Sequence, residues 1–398
     1  MKTKMAEGCA KKISTIKPRF SNEIPAPRSG HRCVADENNF YVFGGYSPHS
    51  STQLFRELWR FNFSSCTWKL LQTTGDFPLE VCSSCVLLDR GHIIIYGGSG
   101  IPFGDSNSNK LHVLKLSEKR WTVVDVIVKR EKIDDDEDDD DDDNEFLNLI
   151  LGRAPRLPIA GYGQCMVLSP DRELYIFAGT SGREFNSFLT RFNFTSKEWE
   201  YIPREDPPHI LPRYRHEAVT YGDKFYVFGG GMGGIDPTDF CNLTEVPTFC
   251  FSSQKWDVIR CHPSRTYGFP PRRRCHGCVL FENKVYICGG YDGIRMHDDI
   301  WSLDLISFHW TKLPMVLPYP VYFHSTAITP SGCMLTFGGV KSIDAETDIR
   351  SNDLHCLWLV PPSLVELSVQ AVMSCIPNIE SVSQMELAKL GIPLHLLD

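Results

Sequence analysis

The chain has 398 residues, of which 42% are apolar and 12% aromatic, and its 30 glycines and 26 prolines favour many short strands joined by turns. The formal net charge of −8 comes from residues 134–143, which read DDDEDDDDDD; removing those ten acidic charges from −8 leaves +2. A nearly neutral body lacks the concentrated basic surface that nucleic acid requires, and there is no apolar segment of about 20 residues to span a bilayer, so we expect neither partner.

Residues 1–24 precede six copies of a repeat that fills residues 25–360. Each copy contains an apolar strand that ends in a diglycine or, once, in Ala-Gly. The six strands read YVFGG at 41–45, IIIYGG at 93–98, YIFAG at 175–179, YVFGG at 226–230, YICGG at 286–290 and LTFGG at 335–339. Another strand precedes each of them and an alternating strand follows, so each repeat supplies several short strands.

A tryptophan opens a fourth strand in five of the repeats, always ten residues after the first apolar residue of the third strand. These pairs are Leu58 and Trp68, Leu111 and Trp121, Leu189 and Trp199, Val246 and Trp256, and Ile300 and Trp310. Four strands in each of six repeats predict an all-β, six-bladed β-propeller. The diglycine with its downstream tryptophan resembles the kelch repeat, and this resemblance implies a kelch β-propeller.

The sixth repeat departs from this pattern. Ten residues after Leu354 stands Leu364 instead of tryptophan, and Pro361 and Pro362 precede it, where proline would interrupt a strand. A ring with an open edge invites aggregation, so another segment must close it. We predict that the N-terminal segment, around residues 14–20, supplies the outer strand of blade 6.

An insert at residues 129–157 separates the second repeat from the third and contains the acidic run. Such a run of like charges predicts a solvated, disordered loop. Because the insert connects two blades, we expect it to leave the propeller from the face that carries the other connections between blades.

The C-terminal segment, residues 361–398, has a helical pattern. Ser363 with Glu366, and Ser383 with Glu386, form capping boxes, in which the serine and glutamate satisfy free backbone N–H groups where a helix starts. Two short amphipathic helices are therefore predicted. The pattern alone leaves two roles open: the helices pack against the rim of the propeller, or they dock on a partner.

The first predicted helix resembles the BC box, the helix that binds elongin C. In that motif, Ser, Thr or Pro is followed by L-x3-C-x3-Φ, and here a serine stands where the motif has cysteine. The matching residues are Ser363, Leu364, Ser368 and Val372. A second motif resembles the cullin-2 box, Φ-P-x-x-Φ, and consists of Ile392, Pro393 and Leu396. With the segments RSGHRCVAD, LFRELWR, GIPFG, RYRHE, PVYFH and WLVPPSLVEL, these motifs resemble the kelch-repeat substrate receptors of cullin-2 ubiquitin ligases.

This resemblance implies a substrate-recognition subunit with elongin B/C and cullin-2 as partners. The kelch relatives bind the free C-terminal ends of target proteins, often ending in Gly or Ala, and present them for ubiquitination and degradation. Partner proteins then transfer ubiquitin, so we expect an adaptor without enzymatic activity and without a cofactor.

Five arginines are candidates for binding a C-terminal carboxylate, which needs arginine for bidentate, charge-assisted hydrogen bonds. They fall in connections between blades, which open on one face of a propeller, and are Arg28, Arg213, Arg215, Arg273 and Arg274. Arg213, Arg215 and Arg273 are the strongest candidates, and salt bridges between blades are an open alternative for each. The loops after the second strands are expected to line the same pocket with Tyr46, Ser99, Thr180, Ser181, Met232 and Tyr291. We hypothesise that the acidic run, which leaves this face too, competes with the ligand carboxylate.

Fifteen cysteines and the absence of an apolar export signal predict reduced thiols in a cytoplasmic and nuclear protein. Two Cys-x-x-Cys pairs, at 82–85 and 275–278, have the spacing of zinc or redox sites. When the repeats are aligned, four cysteines share one position: Cys33, Cys85, Cys165 and Cys278. Alanine or threonine takes that position elsewhere, which favours packing over a metal site. Four histidines likewise share a position, with Ser83 and Gly163 in the other repeats, and are interpreted as hydrogen-bonded structural residues: His31, His216, His276 and His324.

Two other classes of function are open. A kelch scaffold that sequesters or regulates a signalling enzyme without a ligase link would bury Leu364 on the propeller. An enzyme would need a convergent set of acids, bases or metal ligands at the mouth of the channel, and the arginine-rich rim contains no such set.

Overall fold

The computed structural model describes residues 11–18, 23–127, 157–203, 208–232, 239–342, 348–375, 382–389 and 391. Across these residues, six antiparallel sheets with four main strands each surround a central channel. The first strand of each blade contacts the first strands of its neighbours around the channel, and the fourth strand lies outermost. The predicted six-bladed β-propeller is therefore confirmed.

Blades 1 to 3 come from the first half of the chain. Blade 1 contains the strands Arg32–Ala35, Asn39–Phe43, Leu58–Asn62 and Thr67–Leu70. Blade 2 contains Cys85–Asp89, His92–Tyr96, Leu111–Lys115 and Arg120–Val123, and Thr74–Gly75 pairs in parallel with its outer edge. Blade 3 contains Cys165–Leu168, Leu174–Thr180, Phe185–Asn193 and Glu198–Ile202.

Blades 4 to 6 complete the ring. Blade 4 contains Glu217–Tyr221, Lys224–Phe228, Glu245–Cys250 and Lys255–Arg260. Blade 5 contains Gly277–Phe281, Lys284–Cys288, Asp299–Asp304 and Trp310–Val316. Blade 6 contains Ser325–Ile328, Cys333–Phe337, Leu354–Trp358 and, outermost, Ser14–Ile16. A small hairpin within blade 6 pairs Val340–Ser342 with Asp348–Arg350.

The tryptophan and the diglycine recur together because they meet between blades. Each tryptophan of a fourth strand packs against the aromatic residue that precedes the diglycine, or Ala-Gly, of the preceding blade. The ring centroids lie 5.4 Å apart for Trp68 and Phe337, 5.9 Å for Trp121 and Phe43, 5.4 Å for Trp199 and Tyr96, 4.8 Å for Trp256 and Phe177, and 6.3 Å for Trp310 and Phe228. Such aromatic pairs contribute about 0.5–1.5 kcal/mol each beyond the area they bury. The sequence repeat thus reflects one repeated contact between neighbouring blades.

The glycines are required by a close approach of the next blade. Gly338 has φ of +65°, in the left-handed region, and a Cβ at this position would lie 2.6 Å from Cε1 of His31. The Nε2 atom of His31 lies 2.9 Å from the carbonyl oxygen of Phe337, to which it donates a hydrogen bond. A side chain at Gly338 would therefore push blade 1 away from blade 6.

The N-terminal segment closes the ring as predicted. Ser14–Ile16 pairs antiparallel with the third strand of blade 6, with Ile16 opposite Leu354. Just before it, Lys11–Lys12 pairs in parallel with the outer strand of blade 5. Ile13 lies between these two pairings and is buried in the core shared by blades 5 and 6. One short segment thus holds two blades together and covers an otherwise open edge.

In the described part of the tail, two helices follow the propeller, α1 at Leu364–Cys375 and α2 at Gln384–Lys389. The N–H of Ser363 donates to Oε2 of Glu366 at 2.7 Å, and the N–H of Glu366 donates to Oγ of Ser363 at 3.2 Å. The predicted second capping box has the same pair of bonds. Within the described part of the chain, no helix is long and apolar enough to cross a membrane.

The tail and the connections between blades lie at opposite ends of the strands. The N–H of Leu359 donates to the carbonyl of Gly332, in the turn that joins the first and second strands of blade 6. In an antiparallel meander, such turns lie at one end of the sheet, which we call the lower face. The connections between blades and the loops after the second strands lie at the other end, the upper face.

Candidate functional site at the upper mouth of the channel

Three of the five candidate arginines hold the propeller together. Arg28, Arg213 and Arg273 are at most 3% exposed, and each donates to the carbonyl of the first glycine in its own blade's diglycine. Arg28 also pairs with Glu57 at 2.5 Å, and Arg273 pairs with Asp299 at 2.7 Å. These bonds direct the three guanidinium groups into their own blades and away from the mouth. The prediction that they face a ligand carboxylate is therefore corrected.

A closed ring of backbone hydrogen bonds forms the floor of the upper mouth. One residue from each blade donates its N–H to one neighbour and accepts at its C=O from the other, with N···O distances of 2.7–3.1 Å. All six have φ between +54° and +68°. In order around the ring they are Gly30, Ser83, Gly163, Arg215, Cys275 and Phe323. Because each of these backbone groups is satisfied by a neighbour, the ring is a rigid platform between the mouth and the channel below.

Arg215 is the charged member of this ring. Its Nη2 donates to Oγ of Ser83 at 2.5 Å, and its Cζ lies 4.8 Å from the ring centroid of Phe323. The glycines of the ring make room for this side chain, since a Cβ on Gly30 would lie 3.3 Å from Nη2 and one on Gly163 would lie 3.4 Å from Cγ. The Nε–H group of Arg215 is buried without a hydrogen-bond partner among the described residues. One guanidinium donor is thus left for an acceptor that the described residues do not supply.

Aromatic side chains build a cup on this floor, enclosing a cavity of about 250 Å³. They are Tyr46, Phe103, Tyr162, Tyr214, Tyr322 and Phe323. Tyr46 meets Phe103 edge to face, with ring centroids 4.9 Å apart. Arg350 adds a guanidinium to the wall, and no carboxylate is found among the lining residues that the structure describes. An apolar wall with cationic groups suits a small ligand group that ends in an anion.

The titratable groups of the cup are held in their protonated forms. Burial raises the pKa of the phenol in Tyr162, Tyr214 and Tyr322, so each hydroxyl is a hydrogen-bond donor at neutral pH. Burial also raises the pKa of the Cys275 thiol to about 11, which keeps this ring residue from acting as a thiolate nucleophile. The cup therefore offers donors and cations, which complement a carboxylate.

The predicted loop residues contribute unequally to this cup. Tyr46 lines it, and Tyr291 stacks against the cup residue Tyr322 with ring centroids 5.4 Å apart. Ser99 and Thr180 are buried, and their hydroxyls donate to carbonyls of their own loops. These two side chains are therefore turned away from the ligand that they were predicted to contact.

The other predicted residues lie around the cup. The carbonyl of Ser181 is taken by a neighbouring asparagine, and Met232 is half-buried. Arg274 lies on the flank of the cup: its backbone pairs with that of Tyr291, and its guanidinium is stacked on the ring of Phe240. Arg215 and Arg274 are thus the two candidate arginines that the structure places beside the mouth.

The strand register corrects the alignment of the cysteines. Counted from the diglycine, the position of Cys33 is taken by Val86 in blade 2 and by Met166 in blade 3. Cys85 and Cys165 lie one position earlier, on the opposite face of their strands. The described cysteines are free thiols, and no group of three or more His, Cys, Asp or Glu among the described residues is arranged to hold a metal ion.

The four predicted structural histidines are buried near the floor of the mouth: His31, His216, His276 and His324. Burial lowers the pKa of each ring, in His324 to about 3, so all four are neutral at pH 7. His31 makes the expected hydrogen bond, but the ring nitrogens of His276 have no partner among the described residues. The corrected register also puts Ser84 and Gln164, not Ser83 and Gly163, at the histidine position of blades 2 and 3.

Helix α1 presents an apolar stripe to solvent. Leu364, Ser368 and Val372 follow one another at intervals of one turn, and Leu364 is 82% exposed and Val372 41% exposed. The hydroxyl of Ser368 donates to the carbonyl of Leu364 at 2.6 Å, so its hydrogen bond is satisfied within the helix. The scaffold alternative would require the propeller to bury Leu364, but the side chain of Leu364 is exposed.

The residues that resemble the cullin-2 box, Ile392, Pro393 and Leu396, lie outside the described residues. The acidic run at 134–143 lies outside them as well. The roles predicted for both segments stay predictions.

Most of the aromatic cup was missed by reasoning from sequence. Tyr162, Tyr214 and Tyr322 share one repeat position, directly before the ring residues of blades 3, 4 and 6. Aromatic residues recurring at that position were the available signal. Phe103 comes from a loop of blade 2 and Arg350 from the hairpin of blade 6; these connections differ in length between blades, so the repeat gives no register for them.

Comparison with known proteins gives one family and several relatives. A family model described as the KLHDC2/KLHL20/DRC7 Kelch-repeats domain matches residues 9–133, 152–339 and 233–373. Kelch domain-containing protein 10 of Xenopus tropicalis is 37% identical over 397 residues, which cover 96% of this chain and 88% of that protein. The Homo sapiens protein of the same name is 36% identical over 399 residues, covering 97% and 83%. Kelch domain-containing protein 2 of Bos taurus is 24% identical over 371 residues, covering 88% and 85%.

Proposed function

Because the chain belongs to the kelch-repeat propeller family, which includes its relatives named kelch domain-containing protein 10, we propose that it is a substrate receptor that binds the C-terminal ends of target proteins in the upper cup. We further propose that its tail docks on elongin B/C and cullin-2. Those partners then transfer ubiquitin, and the receptor itself contributes binding and orientation.

The observation that carries the first proposal is the closed floor of the cup. A peptide that enters the cup meets the backbone ring at its floor, so a chain end fits there better than an internal segment. The unpartnered Nε–H of Arg215 is buried at this floor, where a charge-assisted hydrogen bond to a carboxylate is strongest. The small cavity, about 250 Å³, favours a terminal residue such as Gly or Ala.

The second proposal is supported by the exposed stripe of α1. Burying a leucine side chain contributes roughly 1.5–3 kcal/mol. Because Leu364 is largely exposed, most of this free energy is still available for binding a partner. The tail begins at the lower face and the cup opens at the upper face, so a target and a ligase can be bound together. This exposure favours docking over the scaffold alternative.

An adaptor is favoured over an enzyme by the state of the groups at the mouth. The Cys275 thiol is held protonated by burial, and the lining residues that the structure describes contain no acid or base pair. What the cup offers is binding energy for an anion.

The first test compares two labelled peptides that end in glycine and differ only in a free carboxylate or an amide. Binding to the full chain is measured by fluorescence anisotropy. Losing a charge-assisted hydrogen bond costs roughly 1.5–3 kcal/mol, so the amide is expected to bind about 10- to 100-fold more weakly. Arg215→Gln should remove this preference while the exposed control Arg183→Gln retains it, and urea unfolding confirms that both variants fold. Equal binding of acid and amide by the wild type would overturn the proposal.

A further inference from the structure

Arg274 is placed differently from the arginines of the scaffold. Its side chain crosses to blade 4, where its Cζ lies 5.0 Å from the ring centroid of Phe240. Gly231 leaves the space for it, since a Cβ there would lie 3.1 Å from both Cδ and Nη1. The neighbouring Arg273 is fully buried and bonded within blade 5, whereas Arg274 is half-buried at the surface.

The guanidinium of Arg274 has no acceptor among the residues that the structure describes. Among the described residues, no carboxylate lies within salt-bridge distance of this guanidinium and no oxygen accepts a hydrogen bond from it. The cation–π contact with Phe240 holds the guanidinium in place without using its N–H donors. An arginine held in this way is available to an acceptor that the described residues do not supply.

The position of Arg274 relative to the cup indicates what that acceptor is. Tyr322 in the cup wall stacks on Tyr291, and the backbone of Tyr291 pairs with that of Arg274. Arg274 also directly precedes the ring residue Cys275, which is the repeat position that Tyr322 holds in its own blade, so its backbone lies at the rim of the cup. Its side chain runs from there across blade 4 to Phe240, and an extended peptide covers such a distance in a few residues of ~3.3 Å each. A peptide whose end is bound in the cup therefore passes Arg274 a few residues before its terminus.

We propose that Arg274 binds the side-chain carboxylate of an acidic residue a few positions upstream of the target's C terminus, and so determines specificity for acidic tails. This inference rests on the proposed function of the cup. It separates two roles: Arg215 binds the terminal carboxylate, which every target has, and Arg274 distinguishes one target tail from another.

The test uses peptides that all end in a free glycine carboxylate, with Glu or Gln placed in turn at the second to sixth positions from the end. Affinities for the full chain are measured by fluorescence anisotropy at low ionic strength. At one or two adjacent positions the Glu peptide is expected to bind about tenfold more tightly than its Gln counterpart. Arg274→Gln should bring this ratio to about one, and Arg274→Lys should retain part of it because the charge remains. The exposed Arg272→Gln is the matched control and should keep the ratio.

Three results would overturn the inference. The first is that the wild type binds the Glu and Gln peptides equally at every position. The second is that Arg274→Gln keeps the preference for Glu. The third is that Arg274→Gln weakens the binding of Glu and Gln peptides equally, which would mean that Arg274 contacts the peptide end or backbone. If free acid is still preferred over amide in these cases, the function of the cup stands without this role for Arg274. If the wild type binds none of the peptides, both proposals fall.

Discussion

Acid should destabilise the propeller through its buried histidines, and His324 allows this to be worked out. The ring of His324 is 2% exposed, and burial lowers its pKa to about 3, whereas a histidine in an unfolded chain titrates near 6.5. Between pH 7 and pH 5, the unfolded chain binds a proton that the native state does not bind. The stability contributed by the neutral ring is therefore complete above about pH 6.5 and is lost as the pH falls toward the native pKa. By pH 5 this one residue costs about 2 kcal/mol.

The assay is urea unfolding at pH 7 and pH 5 for the wild type and two variants. His324→Gln removes the titrating ring, so its loss of unfolding free energy between the two pH values should be about 2 kcal/mol smaller than that of the wild type, whatever its stability at pH 7. His49→Gln removes an exposed histidine and should leave the wild-type loss unchanged. Equal losses for the wild type and His324→Gln would refute the reasoning, because they would show that the native ring accepts a proton without penalty.

Three further predictions concern the scaffold and the acidic run. Arg273→Gln leaves the buried carboxylate of Asp299 unpaired and should lower the unfolding free energy by about 3–5 kcal/mol in urea; unchanged stability with lost peptide binding would contradict its scaffold role. Gly338→Ala places a Cβ 2.6 Å from His31 on a left-handed backbone, whereas Gly222→Ala has a similar φ and open space. Gly338→Ala should therefore lower the unfolding free energy by about 1–3 kcal/mol more than Gly222→Ala does. Equal losses would show that the contact between blades is easily relieved. Deleting residues 134–143 should tighten binding of a carboxylate peptide at low salt and have little effect at high salt, and an unchanged affinity would dismiss competition by the acidic run.

The fold was predictable because its sequence signals are themselves contacts. Between blades, a tryptophan such as Trp121 packs against the aromatic residue before a diglycine, such as Phe43. Neither residue can therefore be replaced without loss of packing. The missing outer strand of blade 6 was also predictable, because Pro361 and Pro362 interrupt the last repeat and a ring has to close. The strand order and the closure of the ring could thus be predicted by counting the strands in each repeat.

The binding role of each arginine was not predictable in the same way. Arg213 and Arg215 lie two positions apart, yet Arg213 donates into blade 4 and Arg215 crosses the floor of the mouth. The left-handed φ of +54° at Arg215 sets this direction, and it arises from the six-membered backbone ring, which exists only once all blades are assembled. The cysteines were misaligned for a related reason: matching Cys85 to Cys33 by identity moved a strand by one residue, and only the hydrogen-bond register corrects that.

The central claim is that one chain joins a target's C terminus to a ligase adaptor. The most direct measurement captures the full chain on beads that carry a glycine-ended peptide and asks whether purified elongin B/C is retained with it. We predict that acid-ended beads retain both proteins and that amide-ended beads retain neither. Leu364→Arg should still be captured without elongin B/C, because a charge then faces an apolar groove, whereas Ile306→Arg, at a similarly exposed position on the propeller, should retain both. Elongin B/C that is absent with the wild type, or still retained by Leu364→Arg, would contradict the account.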